Sequence, residues 1–432
     1  MAMGFLEILI LIMMNGGGGS DLLDYVPADF YWEQHSVLAV TPEAMMNVLA
    51  DDDADDIDRL MAIRTLGELG DESALAVLGP LVDSNAPFVG NYARRSIAWL
   101  SGVDPEPASA VTLDQLDADL ALLPAEMMIV AQSRGITTVS GPMDLSTLVP
   151  DMEAMGGPSP EEYTQEIAAG LLEVIGQIGN VRLDALTFAM AFEEDDDEPT
   201  MIMVVARGLY DRERVADMVA DEGGAEWDQF TIGEIEVLQN ATDWGEKSVV
   251  LMPSDEQVVF MFAMGDERQP PLDEVAMLLE EGETEPALGG MLLDQLDAID
   301  RDAASIWMVM EVPAMLKVNE PAEVFGAFDA MRFVGGPTDA GGFYISGVAQ
   351  GTDADAVATT HGVIQGYIVE GITELEEELQ FDPGMRPMFE PMIEMLRSIE
   401  LHAQGDTLTC ELELESGPGQ LLQMFFGVSV AR

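Results

Sequence analysis

The chain is poor in basic residues and has a single cysteine. Lys and Arg together number 17 against 81 Asp and Glu, so the formal net charge is −64, and only Lys247 and Lys317 are lysines. Nucleic-acid binding is disfavoured because there is no basic patch to bind phosphates. Anionic membrane surfaces are disfavoured for the same reason. Cys410 cannot form a disulfide within the chain, which fits the cytosol and a cysteine-poor envelope equally.

The sequence also lacks the common catalytic motifs. It has no phosphate-binding loop, glycine fingerprint, zinc helix motif or nucleophile elbow. The three histidines, His35, His361 and His402, lie far apart. The acidic run Asp51–Asp58 begins like a calcium loop but lacks the glycine at the sixth position and the closing glutamate, so a solvated helix start is favoured. No catalytic, cofactor-binding or metal-ligating residue is therefore predicted, and no cofactor.

What the chain has is apolar content: 48% of its residues are hydrophobic, which is more than disordered chains contain. The sequence therefore predicts folded domains with an acidic surface, typical of a protein from a salt-adapted bacterium.

This charge balance predicts a salt dependence. Because salt screens repulsion between surface carboxylates, we expect the melting temperature to rise with NaCl up to molar concentrations. A calorimetric series in NaCl measures this, and a flat profile would contradict it.

The stretch from Ile57 to Gly102 contains a helical pattern. Leu60, Ile63, Leu66 and Leu69 form an apolar stripe, Gly70 is a C-terminal stop, and Asp71 is an N-cap. The stretch resembles a HEAT repeat of the short bacterial type. The matching residues are Ala62, Arg64, Leu66, Gly67, Leu69, Gly70, Asp71, Ala74, Leu78, Leu81, Asp83, Val89, Ala93, Ala98 and Leu100. Solenoids usually need three repeats, so this piece should lean on its neighbours. We interpret Arg64, Arg94 and Arg95 as structural partners of nearby acids.

The rest of the chain is predicted to be a duplicated α+β body. Gly342–Leu379 reads as a strand followed by a long helix, and Met201–Asp221 is a fainter version. The order of strand, hairpin, helix, strands and helix occurs at Met127–Gly282 and again at Ile306–Phe426, where Gln420–Phe426 is a last short helix.

The fold class is therefore α+β: a HEAT-like helical segment followed by a duplicated body with antiparallel sheets and long helices. The predicted divisions are a hydrophobic tail with a glycine linker (1–20), the helical segment (21–102), and the first and second α+β halves (121–285 and 286–432).

The N-terminal tail has two interpretations. Its apolar run, Ile8–Met14, is shorter than the ~20 residues that span a bilayer. Glu7 interrupts it, and no basic residue precedes it, so it is a poor secretory signal. An export or anchoring role and a docking tail both stay open.

Two helices of the second half carry candidate functional residues. Thr352 is the expected N-cap of the long helix, and His361 lies on its apolar stripe, as a core histidine or a ligand. On the following helix, Met385–Ile399, a methionine-rich face is either a partner groove or ordinary core. Its residues are Met388, Phe389, Met392, Met395 and Leu396.

Two classes of function follow. The first and preferred one is a non-catalytic interaction or scaffold protein with a protein partner. The second is a hydrolase with carboxylates or histidines converging between the halves. The duplicated halves with long helices also resemble pitrilysin-type metallopeptidases, but the two histidines and glutamate of that family's zinc motif are missing, which implies at most an inactive relative.

Overall fold

A computed structural model provides the coordinates of this chain. It describes residues 21–35, 37, 39–51, 53–84, 86, 88–103, 111–134, 159–193, 198–221, 227–241, 247–264, 268–282, 285–318, 322–338, 342–381 and 383–414. The predicted tail and linker (1–20) and the predicted helix Gln420–Phe426 lie outside these residues.

The described residues between 21 and 103 are mainly helical. A 3₁₀ turn at Leu22–Tyr25 precedes helices α1 (Ala28–Gln34), α2 (Pro42–Ala50), α3 (Asp56–Leu69), α4 (Leu75–Leu78) and α5 (Val89–Leu100). The predicted stop of α3 is confirmed, since Gly70 adopts a left-handed conformation with φ 71°. The helix begins within the acidic run, as expected, and Asp55 caps it by accepting a hydrogen bond from the Ile57 amide. Asp71 caps the next turn through the Ser73 amide. The HEAT-like character of this segment stays a prediction.

The body alternates helices with long antiparallel strands. Its first half contains α6 (Leu113–Ala121), β1 (Ile129–Arg134), α7 (Pro160–Ile178), β2 (Arg182–Phe192), β3 (Pro199–Leu209), α8 (Arg212–Asp221), β4 (Asp228–Ile232), β5 (Ile235–Ala241), β6 (Lys247–Ser254), β7 (Gln257–Ala263) and α9 (Leu272–Glu281). The second half contains α10 (Gly290–Asp297), β8 (Ile306–Glu311), α11 (Ala314–Val318), α12 (Ala322–Phe325), β9 (Ala330–Pro337), β10 (Phe343–Gln350), α13 (Ala354–Phe381), α14 (Arg386–Ser398), β11 (Glu400–Gln404) and β12 (Thr407–Leu414).

The twelve strands in the described ranges belong to one antiparallel sheet, in the order β11-β12-β10-β9-β8-β1-β2-β3-β7-β6-β5-β4. Counted outward from the centre, the first five strands are β1-β2-β3-β7-β6 in the first half and β8-β9-β10-β12-β11 in the second. These five strands have the same order in the two halves, and the first half adds β5 and β4 at its edge. The predicted α+β class is confirmed. The strands of both halves make a single sheet because β1 pairs directly with β8.

The corresponding central strands of the two halves, β1 and β8, pair antiparallel with each other. Ile129 lies opposite Met310, and Ser133 lies opposite Ile306. Any antiparallel pair has a local two-fold axis between its strands, and here that axis relates corresponding strands of the two halves. The first half adds the hairpin β4–β5 after its helix α8, whereas the second half adds a helical hairpin, formed by the end of α13 and by α14.

Helices cover both faces of the sheet. One face packs on α7, α8 and the helical segment in the first half and on α13 in the second. The other face packs on α6, α9 and α10. Side chains alternate between these two faces along each strand. Val130, Trp307 and Val309 are on the face covered by α6, α9 and α10, and Ile129 and Met310 are on the opposite face.

A short repeat marks the entry to each half. The hexapeptide LDQLDA occurs at 113–118, in α6, and at 293–298, in α10. Leu116 and Leu296 are both buried beneath their helices. Each copy precedes the central strand of its half, which supports the duplication seen in the strand order.

Candidate functional site

The N-cap of the long helix α13 lies one residue later than predicted, at Asp353 instead of Thr352. The carboxylate of Asp353, rather than the Thr352 hydroxyl, accepts hydrogen bonds from the amides of Asp355 (2.8 Å) and Ala356 (3.4 Å). The prediction of Thr352 as the N-cap is therefore wrong. Aspartate is as good a cap as threonine or better, so two neighbouring candidates in sequence compete.

The first third of α13 lies on the sheet. Val357 and Thr360 are buried, and Ile364 packs against the core that includes Leu408 of β12. The half-buried ring of His361 places Nε2 at 3.3 Å from the Leu401 carbonyl oxygen of β11. This contact gives His361 a structural role at the edge of the sheet.

The rest of α13 extends past the sheet. A helix of 28 residues is about 42 Å long. An eight-residue strand spans only about 27 Å. Within residues 365–381, all of them described, none of the side chains is buried. Here α13 packs on α14: Leu396 lies beside Gly371, and Arg397 pairs with Glu376.

We call residues 365–398 the hairpin. Its outer surface exposes large apolar groups, most of all Val369 (63% exposed) and Phe381 (94% exposed). Isolated exposed apolar residues are common, but these lie on the part of α13 in which no side chain is buried.

The predicted methionine-rich face is divided by the structure. Phe389 is buried, as is Ile393 one turn later, while Met392, Met395 and Leu396 are half-buried. The side chain of Met388 lies outside the described part of the chain. Phe389 lines an open cleft at the end of the hairpin, where α13 meets α14. Phe381 lines the same cleft, but the sequence pattern did not single it out. The partner-binding role of the face stays a prediction.

The cleft at the tip of the hairpin combines apolar and acidic groups. It has a volume of about 720 Å³. Its lining residues are Glu374, Glu377, Glu378, Phe381, Met385 and Phe389. Three carboxylates thus border a surface built from two phenylalanines and a methionine.

The hairpin has a strong excess of negative charge. Residues 365–398 contain eight acidic residues and two arginines. Both arginines are already in ion pairs, Arg386 with Glu390 at 3.5 Å and Arg397 with Glu376. A molecule that covers the exposed apolar groups therefore meets carboxylates around them, which favours a cationic rim on that molecule.

Groups that could perform catalysis make separate structural contacts. His35 stacks on Tyr31 with ring centroids 4.2 Å apart, His361 faces β11, and His402 lies 3.7 Å from Glu400. Burial, with a contribution from Glu411, raises the pKa of the Cys410 thiol, which is opposite to what a nucleophile requires. Among the described residues, no three His, Cys, Asp or Glu side chains are grouped so that they could hold a metal ion.

Comparison with known proteins gives little to add. No family model matches the chain, and no curated protein matches it significantly. TP0453, solved in crystal form I, aligns over 71% of this chain and 95% of its own with 9% identity and a TM-score of 0.34. That similarity is too small to bear on function. None of the helices in the described ranges is both long and apolar enough to cross a membrane.

Proposed function

We propose that this chain is a non-catalytic binding protein whose hairpin, residues 365–398, contacts a basic protein partner. The observation that carries this proposal is the exposure of Val369 and Phe381 on an element that extends beyond the sheet. An apolar surface that the fold leaves outside its own core is typical of an interaction site.

The exposed apolar and acidic groups of the hairpin indicate which kind of partner would bind there. A helix with an apolar stripe could pack on the exposed residues and on the cleft, which is the helix-in-groove mode of recognition. Lys and Arg residues beside that stripe would face Glu374, Glu377 and Glu378. Because these contacts are electrostatic, they should increase the association rate more than the affinity. Added salt should reduce this increase in the association rate.

The experiment is a capture of partners from native lysate in high salt, where non-specific attraction to the acidic surface is screened. We expect the double substitution Val369→Ser, Phe381→Ser to lower the affinity for the captured protein about 100-fold or more, because burying each of the two large apolar side chains contributes about 1.5–3 kcal/mol. Affinity is measured by titration of the purified partner.

Val103→Ser is the matched control, since Val103 is 61% exposed at the end of the helical segment, away from the hairpin. The control should bind like the parent chain. Equal affinity of the hairpin variant, with partner cross-links mapping elsewhere, would contradict the proposal. The hydrolase alternative is not advanced, because the histidines and Cys410 have the structural contacts described above.

A further inference from the structure

A short piece of chain, residues 21–26, lies between the helical segment and the sheet and contains the 3₁₀ turn; we call it the strap. On the sheet side, Asp21 forms a β-bridge with Arg182, and the Leu22 amide donates to the Val181 carbonyl oxygen at 2.8 Å. On the helical side, the buried guanidinium of Arg64 donates to the carbonyl oxygens of Leu23 and Val26, the latter at 2.9 Å. The strap is therefore held from both sides.

Two buried carboxylates of the strap share one guanidinium nitrogen. Asp21 is 2% exposed and Asp24 is 1% exposed. Arg95 Nη1, from α5, lies 3.2 Å from Asp21 Oδ2 and 2.9 Å from Asp24 Oδ2. The Tyr92 hydroxyl donates a hydrogen bond to Asp24 Oδ1 at 3.2 Å. Asp24 therefore accepts more hydrogen bonds from side chains than Asp21 does.

The charges of this cluster do not balance when both carboxylates are ionised. Arg64 lies nearby but pairs with Glu68, and Arg182 pairs with Asp184 at 2.9 Å. Asp21, Asp24 and Arg95 then carry one net negative charge in a buried site. Asp21 Oδ1 has no hydrogen-bond partner among the described residues. A buried, unpaired charge is costly, and a proton on Asp21 removes it.

We propose that the strap is a proton-dependent joint, which holds the helical segment firmly on the sheet while Asp21 is protonated and loosens when Asp21 ionises. Burial first, and the charge of Asp24 second, raise the pKa of Asp21 to about 7, against the opposing effects of Arg95 and Arg182. Asp184 adds to the increase, and Tyr92 and Arg64 complete the set of ionisable groups that face the cluster.

The sign of the pH effect follows from linkage. The pKa of Asp21 is higher in the closed joint than its ordinary value of 3.8, so the closed joint binds the proton more tightly. The resulting stabilisation is complete below about pH 4 and is lost as the pH rises through about 7.

Amide hydrogen exchange of the full chain at pH 5 and pH 8 tests the joint, after correction for the intrinsic pH dependence of exchange. We expect protection of α3 and α5 to fall roughly 10- to 100-fold between these values, while β6 and β7 keep theirs. Asp21→Asn, which resembles the protonated carboxyl, should remove most of this fall. Asp83→Asn, which removes one exposed charge from the same segment, should retain it.

Asp24→Asn tests the same charge balance through the other carboxylate and should also reduce the pH dependence. The proposal is overturned if α3 and α5 are equally protected at both pH values. It is also overturned if the Asn variants that fold keep the parent's pH dependence. If neither Asn variant folds, a ¹³C-carboxyl titration of the parent chain decides, and an aspartate set that titrates entirely at ordinary acid pH would overturn it.

Discussion

Replacing Asp119 with alanine is expected to destabilise the protein by about 3–5 kcal/mol, because it leaves the largely buried Arg207 guanidinium and the Gln257 amide without their hydrogen-bond acceptor. Asp119 is 1% exposed at the end of α6. It accepts hydrogen bonds from Arg207 Nε (2.7 Å) and from Gln257 Nε2 (2.8 Å), and Arg207 Nη2 lies 2.7 Å from its second oxygen. The substitution would break the polar contact that fixes α6 over β3 and β7.

The size of this effect should depend on pH. Burial raises the pKa of Asp119 to about 6, although the hydrogen bond and charge of Arg207 oppose the increase. A raised carboxyl pKa means that its stabilisation is complete below about pH 4 and declines as the pH rises through about 6. The deficit of the alanine variant should therefore be larger at pH 5 than at pH 8.

Urea unfolding of both proteins at the two pH values measures the deficit. Asp119→Asn keeps an oxygen that can accept a hydrogen bond, so it should lose less stability than the alanine variant. Asp114→Ala removes an exposed carboxylate from the same helix and should stay within about 0.5 kcal/mol of the parent. A small, pH-independent effect of Asp119→Ala would show that the contact is dispensable.

Gly208→Ala is expected to destabilise the sheet by about 2–3 kcal/mol, or to prevent folding. A Cβ atom at position 208 would stand 1.8 Å from the carbonyl oxygen of Arg182, which is backbone and cannot rotate away. The two strands approach closely here, next to the register shift between Leu183 and Ala185. Any side chain at this position must push β3 away from β2.

Gly170→Ala is the matched control, because a Cβ there meets no atom within 4 Å on the exposed side of α7. That variant should gain about 0.5–1 kcal/mol through helix propensity. Thermal unfolding should thus move in opposite directions for the two glycines. If Gly208→Ala melts with the parent, the close approach of β2 and β3 does not hold in solution.

Local patterns in the sequence predicted the elements well. The stretch Gly342–Leu379 contains β10 and most of α13, and the order of strand, hairpin and helix recurs as expected. These features depend on apolar periodicity, which neighbouring residues set. Strand β4 was missed because its alternation is short: only Phe230 and Ile232 are apolar in Asp228–Ile232, and four of its five side chains are exposed.

Long-range partners could not be predicted in the same way. Periodicity does not say that β1 pairs with β8, and it does not connect Arg95 with Asp21 and Asp24, more than 70 positions away. The arginine was expected to have a structural role, but in a chain with 81 acids its partners cannot be chosen by proximity in sequence. The duplication was predicted from the order of elements, and the repeat LDQLDA is a second signal for it in the sequence.

The candidate site was predicted only in part. The pattern placed an apolar face on α14, and Phe389 does line the cleft. Spacing cannot show which apolar residues an element hides and which it exposes when the element extends beyond the sheet. Phe381 is two residues beyond Leu379, where the apolar stripe of α13 ends. The sequence pattern therefore did not predict that Phe381 is 94% exposed.

The pairing of β1 with β8 has a consequence for how such a chain could have arisen. Because corresponding strands of the two halves pair antiparallel with each other, one half with its edge uncovered could have paired with an identical copy, as a homodimer. Fusion of two such subunits would tie them covalently and free each to acquire its own insertion. The divergence of one inserted hairpin into strands and the other into helices is what that history would leave.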